Sequence, residues 1–133
     1  MSGLVTGVDY LSLPSTDLDR SIDFYANVVG LERGKLWGKG DSSDAMGAEF
    51  ETGTVTVALV ANDRLGIEFQ ANKVPLALHV EDVEAARSEL ESRGVEFAAD
   101  TMDSGVCHMA FFSDPDGNSL CLHHRYAPPE SPA

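Results

Sequence analysis

Basic residues are scarce in this chain. Nine Lys and Arg stand against 22 Asp and Glu, a formal net charge of −13. No basic cluster interrupts that excess, so phosphate backbones and anionic membranes are repelled, and neither nucleic acid nor a membrane is expected as a partner. Long apolar runs are missing too. Nothing approaches the roughly 20 residues of a membrane span, and the start MSGLVTGVDY lacks the charged and apolar regions of a secretion signal. These absences point to a cytoplasmic protein. Cysteine is limited to Cys107 and Cys121, too few for a disulfide framework and wrongly spaced for a structural zinc site. Apolar residues at 43% and charged residues at 23% exclude a disordered or fibrous chain, and 133 residues suffice for one domain.

What the chain does have is an internal repeat. The stretch VDYLSLPSTDLDRSIDFYANVVGLERG (Val8 to Gly34) is echoed by VPLALHVEDVEAARSELESRGVEFAAD (Val74 to Asp100). In each copy a short alternating run, Tyr10 to Pro14 or Leu76 to Val80, meets an acidic helix start at Asp17 or Asp82. Leu18, Ile22, Tyr25 and Val29 then form one apolar helical stripe; Val83, Ala86 and Leu90 form the other. Gly30 and Gly94 are placed to end the helices, since glycine takes the left-handed cap conformation without a Cβ clash.

Three strand-like runs follow each helix: near Arg33–Trp37, Ala48–Glu51 and Val55–Val60, then near Glu96–Ala98, Val106–Phe112 and Ser119–His124. Leu65–Phe69 could add a brief strand between the halves. The expected fold is α+β, two βαβββ modules forming a curved mixed sheet around a cleft, with modules at about 5–62 and 73–126 of a single domain spanning 1–126. Residues 127–133, rich in proline, read as a disordered tail.

Two motifs carry a resemblance. Asp17-Leu18-Asp19-Arg20-Ser21-Ile22-Asp23-Phe24-Tyr25 through Gly30-Leu31, and Phe111-Phe112-Ser113-Asp114-Pro115-Asp116-Gly117-Asn118, resemble the signatures of the vicinal oxygen chelate superfamily, which includes glyoxalase I, extradiol dioxygenases and bleomycin-resistance proteins. The resemblance covers roughly residues 5 to 125. It implies a metal held by first-strand histidines and last-strand carboxylates. Carried over, those positions fall on Tyr10, on Pro75, on Cys121 and near Thr56 to Ala58. None is the usual imidazole or carboxylate, so no metal ligand and no cofactor are assigned. Bleomycin-resistance proteins offer the matching case: the fold without the ion, homodimeric, trapping a small organic molecule.

The side chains left for chemistry are few. If Asp114-Pro115-Asp116-Gly117 is a symmetric tight turn, Ser113 faces Asn118, and the same register sets Ala110 opposite Cys121 and His108 opposite His123, these last four all projecting toward the cleft. His108 and His123 are then a candidate acid–base pair or a half-exposed polar surface. Cys121 fills space where a carboxylate was lost. Tyr10, Ser12, Trp37, Thr56, His79 and Cys121 are the candidate ligand contacts, Trp37 as a stacking platform beside the glycine-rich stretch 38–44 or as a dimer contact. Three functions remain open. The first is a metal-independent small-molecule-binding protein that sequesters a drug or metabolite. The second is a metal-free isomerase, cyclase or lyase using histidine. The third is a metal-dependent glyoxalase- or dioxygenase-like enzyme with relocated ligands. Whether the protein is an enzyme stays undecided at this point.

Overall fold

The computed structural model describes residues 3–38, 40–41 and 43–128. Lys39 and Ser42 of the glycine-rich stretch, and residues 129–133 of the expected tail, lie outside them. The chain divides into two compact units, Met1–Ala71 and Asn72–Ala133. Each holds a four-stranded mixed sheet with its principal helix over one face, so the fold is α+β as the repeat implied.

In the first unit, β1 (Tyr10–Ser15) leads into α1 (Leu18–Asp23), and β2 (Glu32–Trp37), β3 (Gly47–Glu51) and β4 (Thr56–Ala61) complete the sheet in the order β1-β4-β3-β2. β1 runs parallel to β4; the other neighbours are antiparallel. The Asp17 carboxylate accepts the Arg20 N–H at 3.2 Å, an N-cap worth about 1 kcal/mol. α1 then passes without a break into a π-helical segment, Phe24–Val29. There the Tyr25 carbonyl takes both the Gly30 and Leu31 N–H groups, at 3.1 and 2.9 Å, and Gly30 turns left-handed with φ 87°. The wide turn keeps Tyr25 wholly buried against Phe50 while Val29 is only half-buried, so the expected regular stripe stops short of its last member. Leu13, Leu18, Ile22, Phe50, Val57 and Leu59 close this core, each contributing roughly 1.5–3 kcal/mol over its exposed state. Ser15 and Ser21, both fully buried, join their hydroxyls at 2.7 Å beneath the helix start.

After β4 the chain forms a single helical turn, α2 (Asn62–Leu65), ended by left-handed Gly66. The strand expected at Leu65–Phe69 does not form; instead the Asn62 carbonyl accepts the Gly66 and Ile67 N–H groups and the Asn62 side-chain amide donates to the Glu68 carbonyl.

The second unit repeats the plan with β5 (Leu76–His79), α3 (Val83–Ser92), β6 (Met102–Asp103), β7 (Cys107–Ser113) and β8 (Ser119–Arg125), ordered β5-β8-β7-β6. Asp82 caps α3 through the Ala85 N–H at 3.0 Å. The strand expected at Glu96–Ala98 shrinks to an isolated bridge, Phe97 to Phe112, and the true partner of β7 lies later, where Met102 stands beside Met109. Phe97 is held instead between Phe112 and the Arg87 guanidinium, 4.8 Å from its ring centre. Ala127 and Pro128, placed in the disordered tail from sequence, are tethered: their carbonyls accept from the Arg125 guanidinium at 3.0 and 3.2 Å.

Candidate functional site

Strand pairing decides which side chains meet. In the first unit Tyr10 lies beside Thr56, Ser12 beside Ala58, and Ala58 beside Glu49. Since residues two apart share a face, Tyr10, Ser12, Glu49, Glu51, Thr56 and Ala58 all project from the side opposite α1, while Leu13, Phe50, Val57 and Leu59 point to the helix.

Trp37 completes that face. Its indole N–H donates to Glu49 Oε2 at 2.6 Å, and Tyr10 meets the indole edge-on with ring centres 5.4 Å apart. Gly47 is the floor: a Cβ there would stand 2.6 Å from Trp37 Cε3 and 2.5 Å from the Leu59 carbonyl. Thr56 Oγ1 donates to Glu51 at 3.0 Å. Four predicted ligand contacts (Tyr10, Ser12, Trp37 and Thr56) thus share one face. The two glutamates on it were missed, although the alternation of Ala48, Glu49, Phe50 and Glu51 announces them.

The second unit corrects the expected hairpin. Ser113 pairs with Ser119, not with Asn118, so His108 faces His124 and Cys121 faces Phe111. The cause is a five-residue turn. The Asp114 carboxylate takes the N–H groups of Asp116 and Asn118, both at 2.9 Å, and the Asn118 side-chain amide at 2.8 Å, drawing Asn118 into the loop. One extra residue exchanges the faces of one strand relative to the other. Cys121 and His123 share a face with Met109 and Phe111, whereas His108 shares the opposite face with Ala110, Leu122 and His124. The expected His108–His123 pair is therefore split.

His108 instead joins Asp103, with Nε2 3.4 Å from Oδ2, and its ring lies 4.7 Å from that of Tyr126, whose hydroxyl donates to Asp103 Oδ1 at 2.8 Å. The Gly105 N–H, then Tyr126 and His108, hold the Asp103 carboxyl below its ordinary value; the same carboxylate pushes the Tyr126 hydroxyl up. Burial pushes the Cys121 thiol up, which leaves it protonated and a poor nucleophile. At the end of β5, His79 Nε2 lies 3.1 Å from Glu81 Oε1, and His79, Glu81 and His124 bring one donor atom each within 4.8 Å of the others.

Of the positions where the resemblance implies metal ligands, Tyr10 stands beside Thr56 and Cys121 beside Ala77, while Ala58 stands beside Glu49.

A model of the Glyoxalase/Bleomycin resistance protein/Dioxygenase superfamily matches residues 7–122. Comparison with curated proteins gives no significant match. Among solved structures, the chain is similar to TnmS3, an antibiotic binding protein from Streptomyces sp. CB03234, with TM-score 0.75 and 23% identity over 93% of this chain and 99% of that one. It is also similar to a glyoxalase/bleomycin resistance protein/dioxygenase from Nocardioides (TM-score 0.73, 20% identity, 99% and 93% covered). A putative glyoxalase family protein from Bacillus anthracis aligns at TM-score 0.73 and 19% identity, covering 94% and 99%.

Proposed function

The chain belongs to the Glyoxalase/Bleomycin resistance protein/Dioxygenase superfamily, and we propose that it is a small-molecule-binding member that holds an aromatic organic ligand on the helix-free face of its first sheet without a metal ion. The observation that carries this reading is the Trp37 platform. The indole is fixed by Glu49, floored by Gly47 and walled by Tyr10, yet Trp37 stays part-exposed and Tyr10 is 46% exposed. A ring held in place before binding loses little freedom when a second ring stacks on it. Glu49 and Glu51 beside it favour a ligand carrying positive charge. The likeness to an antibiotic binding protein supports sequestration of a drug or metabolite as the role.

The placing of His108 and His123 on opposite faces of β7 and β8 weighs against acid–base catalysis by that pair and so supports the binding reading. As a carrier the protein would act as a cytoplasmic homodimer, with Leu4, Val5 and Val8, all exposed ahead of edge strand β1, offering apolar surface to a second copy.

Trp37 is the sole tryptophan, so its emission reports on this face alone. In a chelating buffer, a panel of cationic antibiotics, aromatic polyketides and ketoacids should contain a ligand that quenches it saturably. Tyr10→Ala should weaken that ligand by about 1 kcal/mol, roughly fivefold. A ligand that binds only after metal is added, or that leaves Trp37 emission unchanged, would refute the reading.

A further inference from the structure

We propose that His79, Glu81 and His124 form a binding site for a first-row transition ion of the zinc or nickel class on the second unit. His79 ends β5, Glu81 follows two residues later in extended chain, and His124 comes from the adjacent strand β8. The imidazoles of His79 and His124 lie with centres 5.9 Å apart and planes inclined at 44°, and one donor atom from each of the three side chains falls within 4.8 Å of the others.

Nitrogen and oxygen donors in this ratio suit zinc, nickel or copper, and disfavour calcium or magnesium, which seek an all-oxygen shell. Ligand bonds near 2.0–2.2 Å require the donors to close by roughly an ångström. His79 and Glu81 are 66% and 89% exposed and free to swing, and the 3.1 Å contact between them already sets one edge of the site.

A second observation points the same way. His124 Nδ1 is shielded from solvent and has no hydrogen-bond partner among the described residues. Its ring lies beside that of His79, with no hydrogen bond at Nδ1. An imidazole with an unanswered nitrogen, beside a second imidazole and a carboxylate, is a group prepared for a cation. The chain's net charge of −13 raises the local concentration of any divalent ion. His79 stands four residues beyond Pro75 and His124 three beyond Cys121, the positions the resemblance points to, and three protein ligands leave room for water or an exchangeable group.

The test is calorimetric titration of the untagged full chain, stripped with chelator, with zinc chloride. One ion per chain is expected. Binding should weaken by more than about tenfold in His79→Ala and in His124→Ala, the loss of a ligand exceeding the usual effect of losing an outer-shell partner. His108→Ala should bind as the parent does, and calcium should give no saturable heat. His79 is exposed, so its variant remains folded even if His124→Ala does not, and circular dichroism checks both. No saturable zinc binding overturns the proposal. So does binding that survives His79→Ala, or that is lost in His108→Ala instead.

Discussion

At the residue scale, the meeting of Asp103, His108 and Tyr126 makes the clearest electrostatic prediction. Asp103 titrates below its ordinary 3.8, chiefly through the Gly105 N–H and then the Tyr126 hydroxyl. Its folded-state value is depressed, so its contribution to stability is present above the unfolded value and fades as pH falls through the folded one, below about pH 4. Tyr126 carries the opposite sign. Its value is raised above 10.0, first by the hydrogen bond to Asp103, so the stabilisation is complete below the unfolded value and is lost as pH rises through the folded one. Asp103→Ala should move the Tyr126 titration down toward that of a free phenol, read by phenolate absorbance against the parent. Superimposable curves would show that the hydrogen bond does not form in solution. None of this was legible beforehand, because Asp103 and Tyr126 are brought together by the β6–β7–β8 pairing and have no sequence spacing of their own. Tyr10, Ser12 and Thr56 were legible, since strand alternation alone fixes their common face.

At the scale of elements, the β7–β8 turn controls the most. Asn118 is fully buried: its amide donates to Asp114, its backbone N–H does the same, and its side-chain oxygen accepts the Asn72 N–H at 2.8 Å. Asn118→Ala removes both side-chain bonds, taking one of several donors from the nearly buried Asp114 carboxylate and the acceptor from the Asn72 N–H, for a loss of about 2 kcal/mol in urea unfolding. A loss under about 0.5 kcal/mol, the range of ordinary surface changes, would mean that the turn is not what sets the register. The motif was visible as Asp-Pro-Asp-Gly, yet its loop length was not. Whether Asn118 belongs to strand or turn depends on the several hydrogen bonds to Asp114, and a miscount by one residue exchanges the helix-free side of the sheet for the helix side. The helices were the easier part: acidic caps at Asp17 and Asp82 and glycines at 30 and 94 bound them as expected. The π-helical turn was invisible, because a 4-3-4 apolar spacing suits an α-helix throughout.

At the scale of the whole molecule, charge and exposed apolar surface act against each other. Among the described residues no helix is long and apolar enough to cross a membrane. Leu4, Val5 and Val8 nonetheless stand 100%, 81% and 64% exposed. Covering such side chains contributes roughly 1.5–3 kcal/mol each, whereas pairing two chains of net charge −13 concentrates like charge. The Debye length shrinks from about 30 Å at 0.01 M salt to about 8 Å at 0.15 M, so salt weakens the repulsion and leaves the apolar gain nearly untouched. Sedimentation velocity should therefore show the dimer fraction rising with salt across that interval, and Val5→Asp should hold the protein monomeric at both ends. A parent that stays monomeric at micromolar concentration in either buffer would leave the N-terminal apolar residues without the second copy assigned to them. A dimer that Val5→Asp does not perturb would place the interface elsewhere.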